Sequence, residues 1–521
     1  MAPWWQSGVV YQIYPRSFAD SNNDGVGDLP GITGRLAYLA ELGVAGIWLS
    51  PFYPSPMDDF GYDVTDHTGV DPVFGTVADA EELIETAHRL GIRVIVDFIP
   101  NHTSYLHPWF VRSRAGDDDW YYWRDPAPDG GPPNNWVSVF GGPAWTFDEG
   151  RGQYYYHAYL PEQPDLNWRN PEVRAAQYDV LRTWLARGVD GFRIDAFRQL
   201  LKDPQWRDNP PNPSWQPGED PYLSLLPVNS TDQPEIVDVI AELRAVLAED
   251  PRPEPPVLMA ELYLPLTKLM RYYGANGAGI HLPTNMHLIS TPWTPERIAA
   301  LADEYEGLLP TGAWPNWVAG NHDRSRLASR IGPDQARVAA VLLLTLRGTP
   351  TLYYGDELGM LDIPVDAPQV RDPLTLRLPG LAVGRDPERT PMRWTPAAHG
   401  GFCLDTVTPW LPMQPHPAGV DVETQLGSPT SMLGLYRALL RLRRTSDALL
   451  SGSYRAVSVT ADVFVYERRS GDSALLIALN FSDRSQPITL PRGASAVLST
   501  HELPVDLTTL RPNEGLVAAT P

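Results

Sequence analysis

The chain repeats one hydrophobic pattern, in which a helical segment is followed by a glycine and then by a short apolar strand. Residues 36–42 have helical periodicity, Gly43 ends that helix, and residues 44–49 form an almost continuous apolar run. The same order recurs over residues 80–98 and again over residues 180–195. Almost continuous apolar strands are typical of a parallel sheet that helices cover on both faces.

Eight such strands alternate with helical segments along the first 355 residues, which predicts an α/β fold, the (β/α)₈ TIM barrel. We assign residues 1–100 and 171–445 to this barrel. The predicted strands are residues 9–14, 44–49, 93–98, 191–195, 256–261, 279–283, 316–320 and 349–355.

Two insertions and a tail depart from the barrel pattern. Residues 101–170, after the third strand, are rich in Trp, Tyr, Pro and Gly and lack helical periodicity, which predicts a small loop-rich domain. Residues 356–428 are Pro-rich and follow the eighth strand. From residue 446 to residue 521 apolar and polar positions alternate between turn residues, which predicts a C-terminal antiparallel β-sandwich.

Composition narrows the class of protein. The 521 residues carry a formal charge of −22, which argues against nucleic acid, whose binders need basic surfaces. No apolar run has membrane-spanning length, so we expect no membrane partner. Cys403 is the single cysteine and we see no signal peptide, which favours the cytoplasm. We expect a monomer or a small homo-oligomer.

The fourth predicted strand carries two charges on one face. Side chains alternate along a strand, so Arg193 and Asp195 point the same way and Phe192 and Ile194 point the other way. The arginine is expected to lower the pKa of Asp195 and to keep it ionised, as a nucleophilic carboxylate requires. On these residues alone, a structural ion pair at a sheet edge explains the pattern equally well.

Other charged residues stand at the same end of neighbouring strands. In a (β/α)₈ barrel the carboxyl ends of the strands form the catalytic face. Several acids with imidazoles and an arginine at that face indicate glycoside hydrolysis, which uses a pair of carboxyl groups. The set comprises Asp97, His102, Arg193, Asp195, Glu261, His322 and Asp323.

An Asp-rich loop follows the first strand. Asp20, Asn22, Asp24 and Asp28 place oxygen side chains at alternate positions, like the start of an EF-hand loop, and the Val26 carbonyl lies between them. We expect this loop to bind one structural Ca²⁺, with Mg²⁺ as the alternative. A turn built on Asx hydrogen bonds is the competing interpretation.

Several segments together resemble the α-amylase family of glycoside hydrolases, in its α-glucosidase and oligo-1,6-glucosidase branch. They appear in the order typical of that family between about residue 4 and residue 396. The matching segments are YQIYPRSF at residues 11–18, DFIPNHTS at 97–104, QPDLNW at 163–168, GFRID at 191–195, AE at 260–261 and GNHD at 320–323.

The resemblance implies a role for each matching residue and requires no organic cofactor. Asp195 would be the nucleophile, Glu261 the general acid and base, and Asp323 the third carboxylate, which binds sugar hydroxyls. Small α-glucosides would be the substrates, and a closed pocket would give exo action. The residues implied to bind the sugar are Tyr62, Asp63, His102, Arg193, His322 and Arg389, with Asp63 and Arg389 paired across the pocket mouth.

Two positions depart from the branch pattern, and two alternatives stay open. Ala196 follows the nucleophile where relatives tend to carry Val or Thr, so the linkage preference is undetermined. Asn101 matches a calcium ligand of α-amylases, at a site that nearer relatives leave empty. The motifs do not separate an exo-α-glucosidase from a transglucosylase or a sucrose or trehalose isomerase. A non-catalytic transporter accessory chain would need a membrane helix and a degraded catalytic set.

Overall fold

Eight parallel strands form one sheet at the centre of the protein. The computed structural model describes residues 3–116, 118–381, 383–415 and 417–520. The strands lie in the order β7-β8-β1-β2-β3-β4-β5-β6, and the Asn285 N–H bridges the two ends by donating to the Asn316 side chain at 3.0 Å. The strands are β1 (Val10–Ile13), β2 (Gly46–Leu49), β3 (Arg93–Phe98), β4 (Gly191–Ile194), β5 (Val257–Leu262), β6 (Leu282–Asn285), β7 (Asn316–Val318) and β8 (Thr349–Tyr353).

Helices alternate with these strands, which confirms the predicted (β/α)₈ architecture. The first of them starts at an Asp28 cap and ends at Gly43, whose φ of 97° is left-handed and suits glycine. The helices that follow the eight strands in turn are Leu29–Leu42, Val77–Arg89, Pro171–Ala186, Ile236–Leu247, Leu266–Tyr273, Pro295–Leu308, Pro333–Thr345 and Met432–Thr445. Shorter helices are Trp4–Ser7, Pro15–Phe18, Pro108–Ala115, His287–Ser290, Leu327–Ile331, Pro373–Arg377, Val422–Leu426 and Asp447–Leu450.

The sixth strand lies a few residues later than the sequence predicts. It begins at Leu282, which is paired with Met259 of β5, and not at Gly279. The N–H groups of Gly279 and Ile280 donate back to the end of the preceding helix, at 2.8 Å each. These residues therefore close a helix and cannot start a strand.

The insertion after β3 contains a helix that its composition hides. Helix Pro108–Ala115 has Pro108 at its first position and begins at His107, whose Nδ1 accepts the Trp109 N–H at 3.0 Å. The rest of the insertion is a three-stranded sheet of Trp123–Arg124, Trp145–Asp148 and Gln153–Tyr156. The sequence lacks helical periodicity here, because capping and the buried Phe110 form this short helix without a clear apolar period.

The C-terminal region is antiparallel, as predicted. Alternate side chains of its central strands face opposite ways: Val465 packs against the two-stranded sheet, whereas Phe464 and Tyr466 join the barrel core. The larger sheet contains Ser453–Val459, Val463–Ser470, Ser473–Asn480, Ser495–Ser499 and Gly515–Thr520, and the smaller one pairs Gln486–Pro487 with Thr509–Leu510. The domain limits at residues 101, 171 and 446 stay a prediction.

Candidate active site

The charged strand ends meet around the guanidinium of Arg193. In the sheet register Asp97 of β3 lies beside Arg193 of β4, which lies beside Met259 of β5. Arg193 Nη1 donates to Asp195 Oδ1 at 2.7 Å, so the two residues share a face as alternation predicts. Arg193 Nη2 lies 2.7 Å from Glu261 Oε2, at an angle outside hydrogen-bond geometry. One buried cation therefore contacts both proposed reacting carboxyl groups.

Exposure separates the acids that a substrate can reach from those it cannot. The side chains of Asp195, Glu261 and Asp323 are 11%, 15% and 22% exposed, whereas that of Asp97 is fully buried. Asp97 instead accepts hydrogen bonds from Trp48 Nε1 at 2.7 Å and from the Tyr62 hydroxyl at 2.9 Å. Asp97 thus helps to position the site, and the other three acids keep part of their side chains exposed.

Burial sets the protonation of the reacting pair. It raises the pKa of Glu261 to about 8, although Arg193 opposes the shift, so Glu261 keeps its proton at neutral pH. Burial also raises the pKa of Asp195 to about 7, although the charge of Arg193 acts in the opposite direction. The predicted net lowering of the Asp195 pKa is therefore wrong, since desolvation exceeds the effect of the arginine.

Asp323 is the opposite case. Burial raises its pKa, but His322, Arg385 and Arg389 together hold that pKa well below its usual range. Arg389 Nη2 donates to Asp323 Oδ1 at 2.8 Å, and Arg385 Nη1 lies 3.4 Å from the same oxygen. Asp323 is thus ionised at neutral pH, whereas the neighbouring Asp195 and Glu261 can change their charge.

His322 is a neutral hydrogen-bonding group. Burial lowers its pKa to about 3, and its ring stacks on Tyr62 with 5.5 Å between centroids. Its Nδ1 lies 2.8 Å from Gln12 Nε2 and its Nε2 lies 2.8 Å from the Tyr62 hydroxyl. Because Gln12 Nε2 can only donate, we assign the proton to Nε2, which donates to Tyr62.

His102 contacts the backbone of Tyr62. Its Nε2 is 3.1 Å from the Tyr62 carbonyl, and burial lowers its pKa to about 4. Gln163, from the resemblance segment at residues 163–168, approaches the same nitrogen at 3.2 Å. The structure therefore brings Tyr62, His102, Arg193, His322 and Arg389 to one site.

The expected pair of Asp63 and Arg389 does not form. Asp63 is fully buried and accepts from Ser55 Oγ and from the backbone N–H groups of residues 58 and 59, at 2.8–3.0 Å. Arg389 instead donates to Asp323 and to the His322 carbonyl, which accepts from Arg389 Nε at 2.7 Å. Asp63 thus stabilises the loop before Tyr62, and this part of the prediction is wrong.

A neighbouring acid, Asp59, pairs with an arginine instead, and that arginine is Arg385. Arg385 Nη2 donates to Asp59 Oδ1 and to Asp372 Oδ1, both at 2.7 Å. Arg385 Nη1 also lies 3.4 Å from Asp323 Oδ1, so this pair is next to one of the three acids. Asp59 stands as far before Arg385 in the sequence as Asp63 stands before Arg389. The sequence alone does not show which of the two acids faces an arginine.

A lysine fills the position that the resemblance associates with calcium in α-amylases. Lys202 Nζ lies 2.6 Å from Asp165 Oδ2 and 3.0 Å from Asn101 Oδ1, and it also donates to the Gln199 carbonyl. Lys202 and Asp165 are both fully buried. An ammonium group therefore already supplies the positive charge here, which sequence reasoning missed.

The Asp-rich loop is closed by its own hydrogen bonds. Both oxygens of Asp20 accept backbone N–H groups of the loop, at 2.6 and 2.8 Å, and Asn22 and Asp24 each accept one more. Asp28 caps helix Leu29–Leu42. In the parts of the chain that the structure describes, no three His, Cys, Asp or Glu side chains group as a metal site. The cation at this loop stays a prediction.

Within the described ranges, no helix has the length and apolar character that crossing a membrane requires.

Comparisons with known proteins place this geometry in a family. The family described as "Alpha amylase, catalytic domain" matches residues 12–452, and a domain of unknown function (DUF3459) matches residues 452–517. A probable alpha-glucosidase of Rhizobium meliloti is 40% identical over 94% of this chain and 91% of its own. An oligo-1,6-glucosidase of Halalkalibacterium halodurans is 37% identical over 95% and 93%.

Solved structures agree with these sequence matches. An alpha-glucosyl transfer enzyme, XgtA, superposes with a TM-score of 0.93 at 37% identity, and all of both chains is covered. The trehalulose synthase MutB superposes with a TM-score of 0.90 at 30% identity, again over both whole chains. The chain belongs to the α-amylase family of glycoside hydrolases.

Proposed function

We propose that this protein is a retaining, exo-acting α-glucosidase that hydrolyses terminal α-glucosidic bonds of short malto- or isomalto-oligosaccharides or related α-glucosides. The observation that carries the proposal is the shared contact of Asp195 and Glu261 with the buried Arg193 guanidinium. Two carboxyl groups that contact one guanidinium are close neighbours, as a retaining mechanism requires.

Each step of the proposed reaction has a group in place. Asp195 attacks the anomeric carbon and forms a covalent β-glucosyl-enzyme, while Glu261 gives its proton to the departing oxygen. Glu261, now ionised, then takes a proton from water, the water oxygen bonds to the anomeric carbon, and the bond to Asp195 breaks, so glucose leaves with its original configuration. The raised pKa of Glu261 suits the first step, because the group must begin protonated at neutral pH.

The remaining charged residues would hold the terminal glucose. The carboxylate of Asp323 is kept ionised by Arg389 and Arg385 and would accept hydrogen bonds from sugar hydroxyls. Neutral His322 and His102 contact Tyr62 and would fix its position beside the sugar. Asp59 and Arg385 would close the pocket beyond this glucose and confine the enzyme to chain ends.

Product analysis tests the proposal. The purified protein is incubated with maltose, isomaltose, sucrose and trehalose, and the sugars are separated by chromatography. Release of glucose from maltose or isomaltose as the main product supports an α-glucosidase. Failure to cleave any of the four disaccharides would exclude the proposed function.

A second candidate is transfer of the glucosyl group to a sugar, or isomerisation of a disaccharide. The observation that favours it is the whole-chain similarity to an alpha-glucosyl transfer enzyme and to a trehalulose synthase. The same product analysis separates the candidates. New oligosaccharides, or an isomer of sucrose, would exceed free glucose if transfer or isomerisation were the main reaction.

We also propose a structural Ca²⁺ at the Asp-rich loop, held by Asp20, Asn22, Asp24, Asp28 and the Val26 carbonyl. The alternate spacing of oxygen groups supports it, although each side chain already has backbone partners. The test compares metal content and melting temperature before and after chelation. If neither changes, the loop is an Asx turn that needs no ion.

The single cysteine supports a reducing compartment, and we propose a cytoplasmic enzyme that acts as a monomer or small homo-oligomer. Cell fractionation and light scattering of the purified protein test these two points.

A further inference from the structure

A buried glutamine stands at one end of a line of hydrogen bonds behind the pocket. Gln12 lies on β1 and is fully buried. Its Nε2 lies 2.8 Å from His322 Nδ1 and donates to Ser50 Oγ at 3.2 Å. His322 Nε2 lies 2.8 Å from the Tyr62 hydroxyl, which donates to Asp97 Oδ2 at 2.9 Å. Four side chains from separate parts of the chain are thus joined from an amide at one end to a carboxyl group at the other.

The carboxyl end of this line fixes where the protons lie. Burial raises the pKa of Asp97 to about 6, although Arg193 opposes the shift, so Asp97 is ionised at neutral pH and can only accept. Tyr62 has one hydroxyl proton and must give it to Asp97. The contact between Tyr62 and His322 Nε2 then requires an N–H on that nitrogen. Because burial keeps His322 neutral, its Nδ1 carries no proton and accepts from Gln12.

The opposite orientation of the amide would reverse the line. With Oε1 turned toward His322, the imidazole proton would move to Nδ1, and Nε2 would accept the proton of Tyr62. Asp97 would then lose its 2.9 Å hydrogen bond from Tyr62. Arg193 Nη1 lies 3.4 Å from Asp97 Oδ2 and 2.7 Å from Asp195 Oδ1. A carboxylate that has lost one donor would therefore compete with Asp195 for this guanidinium.

The charged groups around His322 favour the same tautomer. Asp323 Oδ2 lies 3.4 Å from His322 Nε2, so a proton on that nitrogen is stabilised by the carboxylate. Arg389, Arg193 and Arg385 all lower the pKa of the imidazole and thus oppose a second proton. The ring therefore carries a single proton, and that proton lies on Nε2.

We propose that Gln12 is a positioning residue for the proposed reaction, which fixes the tautomer of His322. The fixed imidazole directs the Tyr62 proton to Asp97. With this hydrogen bond in place, Asp97 leaves the guanidinium of Arg193 to the nucleophile. This inference rests on the proposed α-glucosidase function, in which that nucleophile is assigned. Gln12 acts through its neighbours, because it is fully buried behind them.

Two substitutions separate a hydrogen-bond donor from a side chain that only fills space. Gln12→Met keeps most of the volume and removes the donor, so kcat/KM for maltose should fall about 10-fold or more at every pH. Gln12→Glu keeps the shape, and only its protonated form can donate to His322. Its activity relative to the wild type should therefore rise toward acid pH, as the buried carboxyl group takes up a proton. In alkali it should fall to the level of Gln12→Met.

Gln177→Glu is the matched control for placing a carboxyl group in the core. Gln177 is fully buried in helix Pro171–Ala186, and within the described residues neither polar atom of its side chain has a hydrogen-bond partner. Its activity relative to the wild type should not change with pH. All variants are assayed at a temperature at which tryptophan fluorescence shows them folded. The same pH response in both glutamate variants, or none in Gln12→Glu, would overturn the inference, as would full activity of Gln12→Met.

The tautomer can also be measured without substrate. In protein labelled with nitrogen-15 histidine, NMR shows which ring nitrogen carries the proton, and the His322→Gln variant identifies the signal of His322. We expect the proton on Nε2 in the wild type, and a proton on Nδ1 would contradict the proposal. A wild type that has the Nε2 proton but cleaves no α-glucoside would count against the proposed function and would still support the assigned direction of the hydrogen bonds.

Discussion

Replacement of Lys202 by methionine tests the finding that an ammonium group occupies the position between Asn101 and Asp165. The change keeps most of the side-chain volume and removes the charge. It leaves Asp165, whose side chain is fully buried, without its 2.6 Å cation. Removing one partner of a buried ion pair costs about 3–5 kcal/mol.

The expected change in melting temperature follows from this free-energy cost and from the length of the chain. An unfolding entropy of about 2.1 cal/mol/K per residue gives about 1.1 kcal/mol/K for the whole chain, if the protein unfolds as one unit. We therefore expect Lys202→Met to melt about 3–5 °C below the wild type. The assay is thermal unfolding followed by tryptophan fluorescence. Lys268→Met is the matched control, because Lys268 is the other lysine of the chain and is exposed.

A double variant separates lost charge pairing from lost packing. Asp165→Asn in the Lys202→Met background removes the unpaired buried charge, so it should melt higher than Lys202→Met alone. The reasoning is refuted if Lys202→Met melts within 1 °C of Lys268→Met, a margin of about 1 kcal/mol on the same conversion.

Two further predictions concern the pocket. Asp59→Asn should lower kcat/KM for maltose about 10- to 100-fold, because a charged acceptor at the closed end is lost while the fold keeps its amide isostere; unchanged kinetics would exclude Asp59 from sugar binding. The pH profile of kcat/KM should rise as Asp195 ionises through a pKa of about 7 and fall as Glu261 loses its proton through a pKa of about 8. A profile that is flat between pH 6 and 9 contradicts these assignments.

The parts of the site that depend on strand geometry were predictable from the sequence. Alternation along a strand places Arg193 and Asp195 on one face, and the barrel places Glu261 and Asp323 at the same end. These relations need no knowledge of the loops, because the sheet fixes them.

The parts that depend on loop conformation were not predictable. Asp59 and Asp63 are four residues apart in one irregular loop, and only the fold shows that Asp59 meets Arg385 while Asp63 turns toward its own backbone. The spacing of the Asp-rich loop fits both a cation and Asx turns, since both use the same oxygens. Lys202 lies near Asn101 only because the chain brings together residues 101 positions apart.

The anomeric form of the first glucose released is the most direct test of the central claim, that Asp195 and Glu261 act as nucleophile and acid in a retaining pair. Cleavage of p-nitrophenyl α-glucoside is followed by proton NMR from the first minutes, before the product mutarotates. The proposed mechanism predicts that α-glucose appears first and that the β-anomer grows in later. Early appearance of β-glucose would show direct attack by water and would contradict the account.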